Sequence, residues 1–215
     1  MILQRRSIAA PVVAILLLSS PLSAGGAQEE VVPVEPDAVE PEAAAVQDVA
    51  AAEAEMKELL EEIGIRTFEG QIAAVDFDVP VLADHPGRLS AYRGEFVFLN
   101  FWATWCPPCR EEMPSMEAMQ AELAALPVRI LAVNVQEGRP VVGEFAAEMG
   151  YTFPILLDES GRVAANYGVR GIPTTYFISP AGRVLGMLVG TRYWDEPEVL
   201  AAMRRIGELA ASLEG

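Results

Sequence analysis

The distribution of apolar and polar positions changes character along the chain. Residues 28–52 are a run of Ala, Glu, Pro and Val, broken by Pro33, Pro36 and Pro41, with little to bury. Such a composition predicts an extended, self-repelling linker. From Asp48 onward Val49, Met56, Leu59, Leu60 and Ile63 fall on one helical face and Gly64 follows as a stop, which predicts an amphipathic helix over 48–63. Residues 77–82 and 88–89 flank the turn His85-Pro86-Gly87 and predict a loose hairpin. Residues 95–101 (EFVFLNF) and 128–134 (VRILAVN) are nearly continuous apolar runs of strand length, the mark of strands buried on both faces. Helices are predicted over 107–126 and over 140–149, the latter closed by Gly150. A short strand at 153–157, a helical turn at 163–167, an antiparallel hairpin of 174–178 with 183–189, and a final helix over 196–213 complete the chain. Asp195 is the expected cap of that last helix.

The resulting order, hairpin then β-α-β-α-(β-α)-β-β-α, is that of an α/β domain. Its alternating part predicts parallel strands and its last hairpin an antiparallel edge. The division expected is 1–27 as an export signal or anchor, 28–52 as an acidic linker, 53–66 as the amphipathic helix and 67–215 as the domain.

Charge sharpens that division. The formal net charge is −16, and between Gln28 and Glu62 the only base is Lys57. An excess of acid argues against nucleic acid and anionic lipid as partners, because phosphate contacts need Lys and Arg. The first residues differ: Arg5 and Arg6 precede a short apolar run, residues 8–18, followed by small residues and Pro21. This is the layout of an export signal, with cuts expected after Ala24 or Ala27; residues 8–27 retained would form a membrane tether. Either outcome places the body of the protein outside the cytoplasm.

That setting gives weight to the only two cysteines, Cys106 and Cys109, in the stretch NFWATWCPPCREEMP. A bridge across so short a loop stabilises little as a staple, so the pair is read as a reagent. Cys106 falls at the expected start of a helix that follows a buried strand, the carboxyl end of a strand where open α/β sheets place their chemistry. There the thiolate is favoured, so Cys106 is the attacking sulfur. Cys109, one turn into the helix, is the resolving sulfur. Pro107 and Pro108 suit a first helical turn but remove two N–H donors. A less stabilised thiolate makes the dithiol a better electron donor. Zinc needs about four ligands, and this chain offers one cysteine pair and one distant histidine, His85. Met113, Met116 and Met119 have the softness that suits Cu(I), but their helical spacing reads as packing. Trp102 reads as core.

The domain resembles the TlpA/ResA-like branch of the thioredoxin superfamily, the thiol–disulfide oxidoreductases of the bacterial envelope. The resemblance rests on FLNFWATWCPPCREEMP, with Pro114 five residues after Cys109, on AVNVQEG after the next long strand, and on VRGIPTTYFISPAGRV. It implies a thioredoxin-like fold with a central mixed sheet flanked by helices, an N-terminal β-hairpin and a βα insertion. It implies a cis bond at Ile172-Pro173 facing the cysteines. Around them, Trp105, Pro107, Pro108, Ile172 and Thr174 would meet an extended substrate. It further implies that Glu112, three residues after Cys109, is a functional acid, while Asn100 stands where thioredoxin itself has a buried Asp. No cofactor beyond the redox-active disulfide is expected. The expected partners are an exported protein with a disulfide or cysteine pair, such as apocytochrome c or a copper-site protein, and a membrane thiol-electron transporter as reductant. The same fold also serves thiol oxidation. A thiol peroxidase would need a Pro-x-x-x-Thr-x-x-Cys setting, and copper delivery a wider cysteine spacing with a histidine; both are missing here.

Overall fold

The computed structural model describes residues 40–213. The expected export signal or tether lies outside them. Helices α1 (Glu40–Glu62), α2 (Pro107–Glu122), α3 (Arg139–Met149), α4 (Arg162–Asn166) and α5 (Pro197–Ser212) surround six strands: β1 (Arg66–Thr67), β2 (Phe96–Trp102), β3 (Val128–Val135), β4 (Ile155–Asp158), β5 (Thr174–Ile178) and β6 (Val184–Val189). The sheet order is β1-β6-β5-β2-β3-β4. Strands β2, β3 and β4 run parallel, whereas β5, β6 and β1 add on through antiparallel pairs.

Every residue of β2 is buried because the sheet is covered on both sides. The period of two sorts its side chains. Phe96, Phe98 and Trp102 join the core under α1, α2 and α5, and Val97, Leu99 and Phe101 join the core under α4 and the 3-10 turn at 89–92. Asn100 has the parity of the first face and so points toward α2. Met113, Met116 and Met119 of α2 are fully buried in that same core, which agrees with packing as their role.

Several boundaries differ from expectation. Helix α1 starts at Glu40, so residues 40–52 are helical rather than an extended linker. Their alanines and glutamates are good helix formers, and Pro41 falls in the first turn, where it is tolerated. The helix is held by what it buries: Met56 and Leu60 are fully covered, and Glu53, only 6% exposed, pairs with Arg183 at 2.7 Å. Strand β1 was not anticipated. It is two residues long, and it pairs with β6 where Gly186 sits; a Cβ there would lie 2.7 Å from the Arg66 carbonyl oxygen. The expected loose hairpin around His85 is present, with the bridge Asp78 to Arg88 flanked by the Val79 N–H on the Gly87 carbonyl at 3.1 Å and the Leu89 N–H on the Phe77 carbonyl at 3.2 Å, and its first arm continues to meet β4 at Val81–Leu156. Helix α5 is preceded by Glu196 rather than Asp195 as its N-cap, and no side chain caps it. Among the described residues, no helix is long and apolar enough to cross a membrane.

Candidate active site

Strand β2 delivers the chain to the start of α2, and Cys106 is the N-cap of that helix. With prolines at the next two positions, the first N–H available at this helix end is that of Cys109. It donates to Cys106 Sγ at 3.3 Å. The two sulfurs are joined as a disulfide. Both are nearly covered, Cys106 at 3% exposure and Cys109 at 0%, whereas Pro107 and Pro108 are exposed and Trp105 is 67% exposed.

The Ile172–Pro173 peptide bond is cis. Cys106 Sγ lies 3.8 Å from the Ile172 carbonyl oxygen, a packing contact, since a disulfide sulfur has no hydrogen to donate. The N–H of Gly190 holds the Pro173 carbonyl at 2.9 Å. Thr174 is 1% exposed and its hydroxyl turns back onto the Gly171 carbonyl at 2.7 Å. Thr174 therefore braces the cis-proline loop from inside, and its side chain offers no surface to a substrate. Pro173 is also buried, and Ile172 is partly exposed.

Glu112 is fully buried on α2, one turn beyond Cys109. Its carboxylate accepts from Asn100 Nδ2 at 2.8 Å and from the Arg192 backbone N–H at 3.3 Å. The indole N–H of Trp194 is close enough to favour the charged form slightly, yet it forms no hydrogen bond of ordinary geometry. Removal from water outweighs these donors and pushes the Glu112 carboxyl up to about 7. Asn100 also donates to Thr175 Oγ1 at 3.0 Å, which fixes its amide between β5 and α2.

Three contributors had no role assigned from sequence. Glu137 accepts from the Thr104 N–H at 2.7 Å, the Thr104 hydroxyl at 2.5 Å and Asn134 Nδ2 at 2.8 Å, so it clamps the loop that leads into Cys106. Its only signal was its place in AVNVQEG. Arg192 and Trp194 reach the site from a loop far along the chain. The Trp194 backbone N–H donates to Ser115 Oγ at 2.9 Å, and that hydroxyl donates to the Glu112 backbone carbonyl at 2.6 Å. The same loop meets the cysteine turn where Thr191 Oγ1 approaches the Pro108 carbonyl at 3.4 Å. Val189 and Tyr193, at its two ends, are 63% and 55% exposed.

A paired dithiol–disulfide at a helix N-terminus, a cis proline across from it and a mixed sheet beneath define a thioredoxin-like thiol–disulfide oxidoreductase. The family pattern described as AhpC/TSA matches residues 71–187. The chain belongs to this thioredoxin-like family and, within it, to the ResA-like thiol–disulfide oxidoreductases. It is 46% identical over 125 residues to the thiol-disulfide oxidoreductase ResA of Geobacillus kaustophilus, covering 58% of this chain and 72% of that protein. It is 41% identical over 140 residues to the thioredoxin-like protein YneN of Bacillus subtilis, covering 64% and 79%. A Chlorobium tepidum protein assigned as the thiol:disulfide interchange protein DsbE superposes with a TM-score of 0.57 at 35% identity, covering 63% of this chain and 99% of that one.

Proposed function

We propose that this protein is a reductant of the bacterial envelope that opens disulfides in other exported proteins. Cys106, as thiolate, attacks one sulfur of the target disulfide; the target's other sulfur leaves as a thiolate and takes up a proton. Glu112 accepts the proton of Cys109. Cys109 then attacks Cys106 Sγ, and the second target sulfur leaves and is protonated. The target gains two electrons and two protons, and the Cys106–Cys109 disulfide is left. A membrane thiol-electron transporter returns the dithiol. The target lies extended against the Ile172 backbone beside the cis proline, with Trp105, Pro107 and Pro108 forming the exposed rim. Apocytochrome c and copper-site proteins of respiratory oxidases are the target classes suggested by the family resemblance, since their cysteines must be reduced before cofactor insertion.

The observation that carries this reading is the buried carboxyl of Glu112, one turn from Cys109 and poised near neutral pH. A base is most useful when its pKa lies near the working pH. The direction of electron flow rests on the donor-poor helix start, where two prolines leave few N–H groups to stabilise a Cys106 thiolate.

The test is the resolving step in single turnover, followed as release of a target from a preformed mixed disulfide on Cys106. In the parent chain the rate rises with pH through about 7, where Glu112 loses its proton. In Glu112→Gln the rate falls about 100-fold at neutral pH and that rise disappears. An unchanged rate and profile would remove Glu112 from the chemistry.

A further inference from the structure

Helix α1 and Arg192 lie outside residues 71–187, the part of the chain matched by the family pattern. They nevertheless meet each other, and Arg192 also reaches Glu112. The end of any α-helix leaves carbonyls without partners, and a cation there is favoured by the helix dipole. Helix α1 has no base in its last turn. Arg192 supplies one from far along the chain: its Nη1 donates to the carbonyl of Ile63, the residue that follows α1. The other arm of the guanidinium faces Glu196 and Glu198, both at 3.9 Å. The side chain is only 19% exposed. The backbone N–H of the same residue is the donor to Glu112 Oε2. One residue thus grips the end of α1 with its side chain and the buried carboxylate with its main chain.

Helix α1 is itself anchored. Glu53 takes the Ser179 hydroxyl at 2.5 Å and the Arg183 guanidinium at 2.7 Å, and Glu55 pairs with Arg205 at 2.9 Å. Met56, Leu60 and Ile63 are packed into the core beside α5.

We propose that Arg192 is a positioning residue through which the docked helix α1 holds the loop at 190–193 against Glu112 and thereby sets the proton affinity of that carboxyl. The proposal deepens the assignment of Glu112 as the base for Cys109 and rests on it for its functional meaning. Around Glu112, α2 brings Cys109 and β2 brings only the uncharged Asn100. The loop brings the Arg192 main chain and the Trp194 indole, while the Arg192 guanidinium is engaged by the Ile63 carbonyl, Glu196 and Glu198. When the loop shifts while the carboxyl stays covered from water, the carboxylate loses a fixed donor and the protonated form gains.

The experiment is a pH titration of the Glu112 carboxyl by carbon NMR in the oxidised full chain, where the bonded cysteines do not titrate. Arg192→Met keeps the aliphatic stem but neither charge nor donors; it raises the midpoint by about one pH unit. Arg192→Lys restores a donor for the Ile63 carbonyl and returns the midpoint most of the way. Glu53→Gln loosens the anchor of α1 without touching the site. A through-space charge effect of losing that anion would lower the midpoint, whereas positioning through α1 raises it. An unmoved or lowered midpoint in a folded Arg192→Met chain overturns the proposal. So does an unmoved or lowered midpoint in Glu53→Gln, which decides the matter even where Arg192→Met does not fold. These readouts report proton affinity alone, so a failure of Glu112 as base would appear separately, in the resolving rates of Glu112→Gln.

Discussion

Glu112 carries a carboxyl that folding drives toward its protonated form, and this has a thermodynamic consequence besides the chemical one. Its pKa rises from an ordinary 4.5 to about 7. A raised folded-state pKa contributes stability that is complete below the ordinary value and is lost as pH rises through the folded value. Between about pH 4 and pH 8 the parent should therefore lose about 3 kcal/mol relative to Glu112→Gln, whose amide does not titrate. Denaturant unfolding of both chains across that range measures the difference, and parallel stability curves would mean that the carboxyl is not held away from water. Glu112 and Asn100 could be singled out only through the family resemblance, whose pattern around the cysteines includes both positions. Arg192, Trp194 and Glu137 could not: they reach the site across the fold, and no local pattern encodes such a meeting. Thr174 shows the opposite error. It adjoins the cis proline in sequence, yet its side chain is covered and its hydroxyl is turned back onto the Gly171 carbonyl.

Among the elements, α2 sets the redox character and α1 the extent of the domain. The prolines after Cys106 withhold two donors from its sulfur, leaving the Cys109 N–H. Pro108→Ala restores one, which should stabilise the thiolate and raise the reduction potential by about 30 mV, the equivalent of about 1.4 kcal/mol for two electrons. A potential that stays put would show that the prolines act on shape alone. For α1, Leu60 is fully buried against the core. Leu60→Ala should cost about 3 kcal/mol of unfolding free energy by denaturant titration, whereas a helix only loosely attached would lose nothing measurable. Strands β2 and β3 were legible because strands buried on both faces spell themselves as nearly unbroken apolar runs. The start of α1 was not, because acidic, proline-containing sequence reads as a linker until the docking of Met56 and Leu60 is known. Strand β1 was beyond reach for a different reason: two residues carry no period, and its pairing is permitted by Gly186 on another strand.

At the scale of the whole molecule, the proposed function is a statement about which redox form the fold prefers. A reductant is a protein whose dithiol is the less comfortable state, and a strong oxidant is one whose reduced form is stabilised. The oxidised chain should accordingly melt at a higher temperature than the chain reduced at both cysteines, and a higher melting temperature for the dithiol would reverse the assigned direction. The most direct test is the reduction potential itself, obtained by equilibrating the protein with defined dithiol–disulfide buffers and following the fluorescence of its tryptophans, of which Trp105 adjoins the reacting sulfur. A potential near or below about −270 mV, the level of thioredoxin, is the result this account predicts. A value near about −120 mV, the level of a disulfide-forming oxidant, would contradict it.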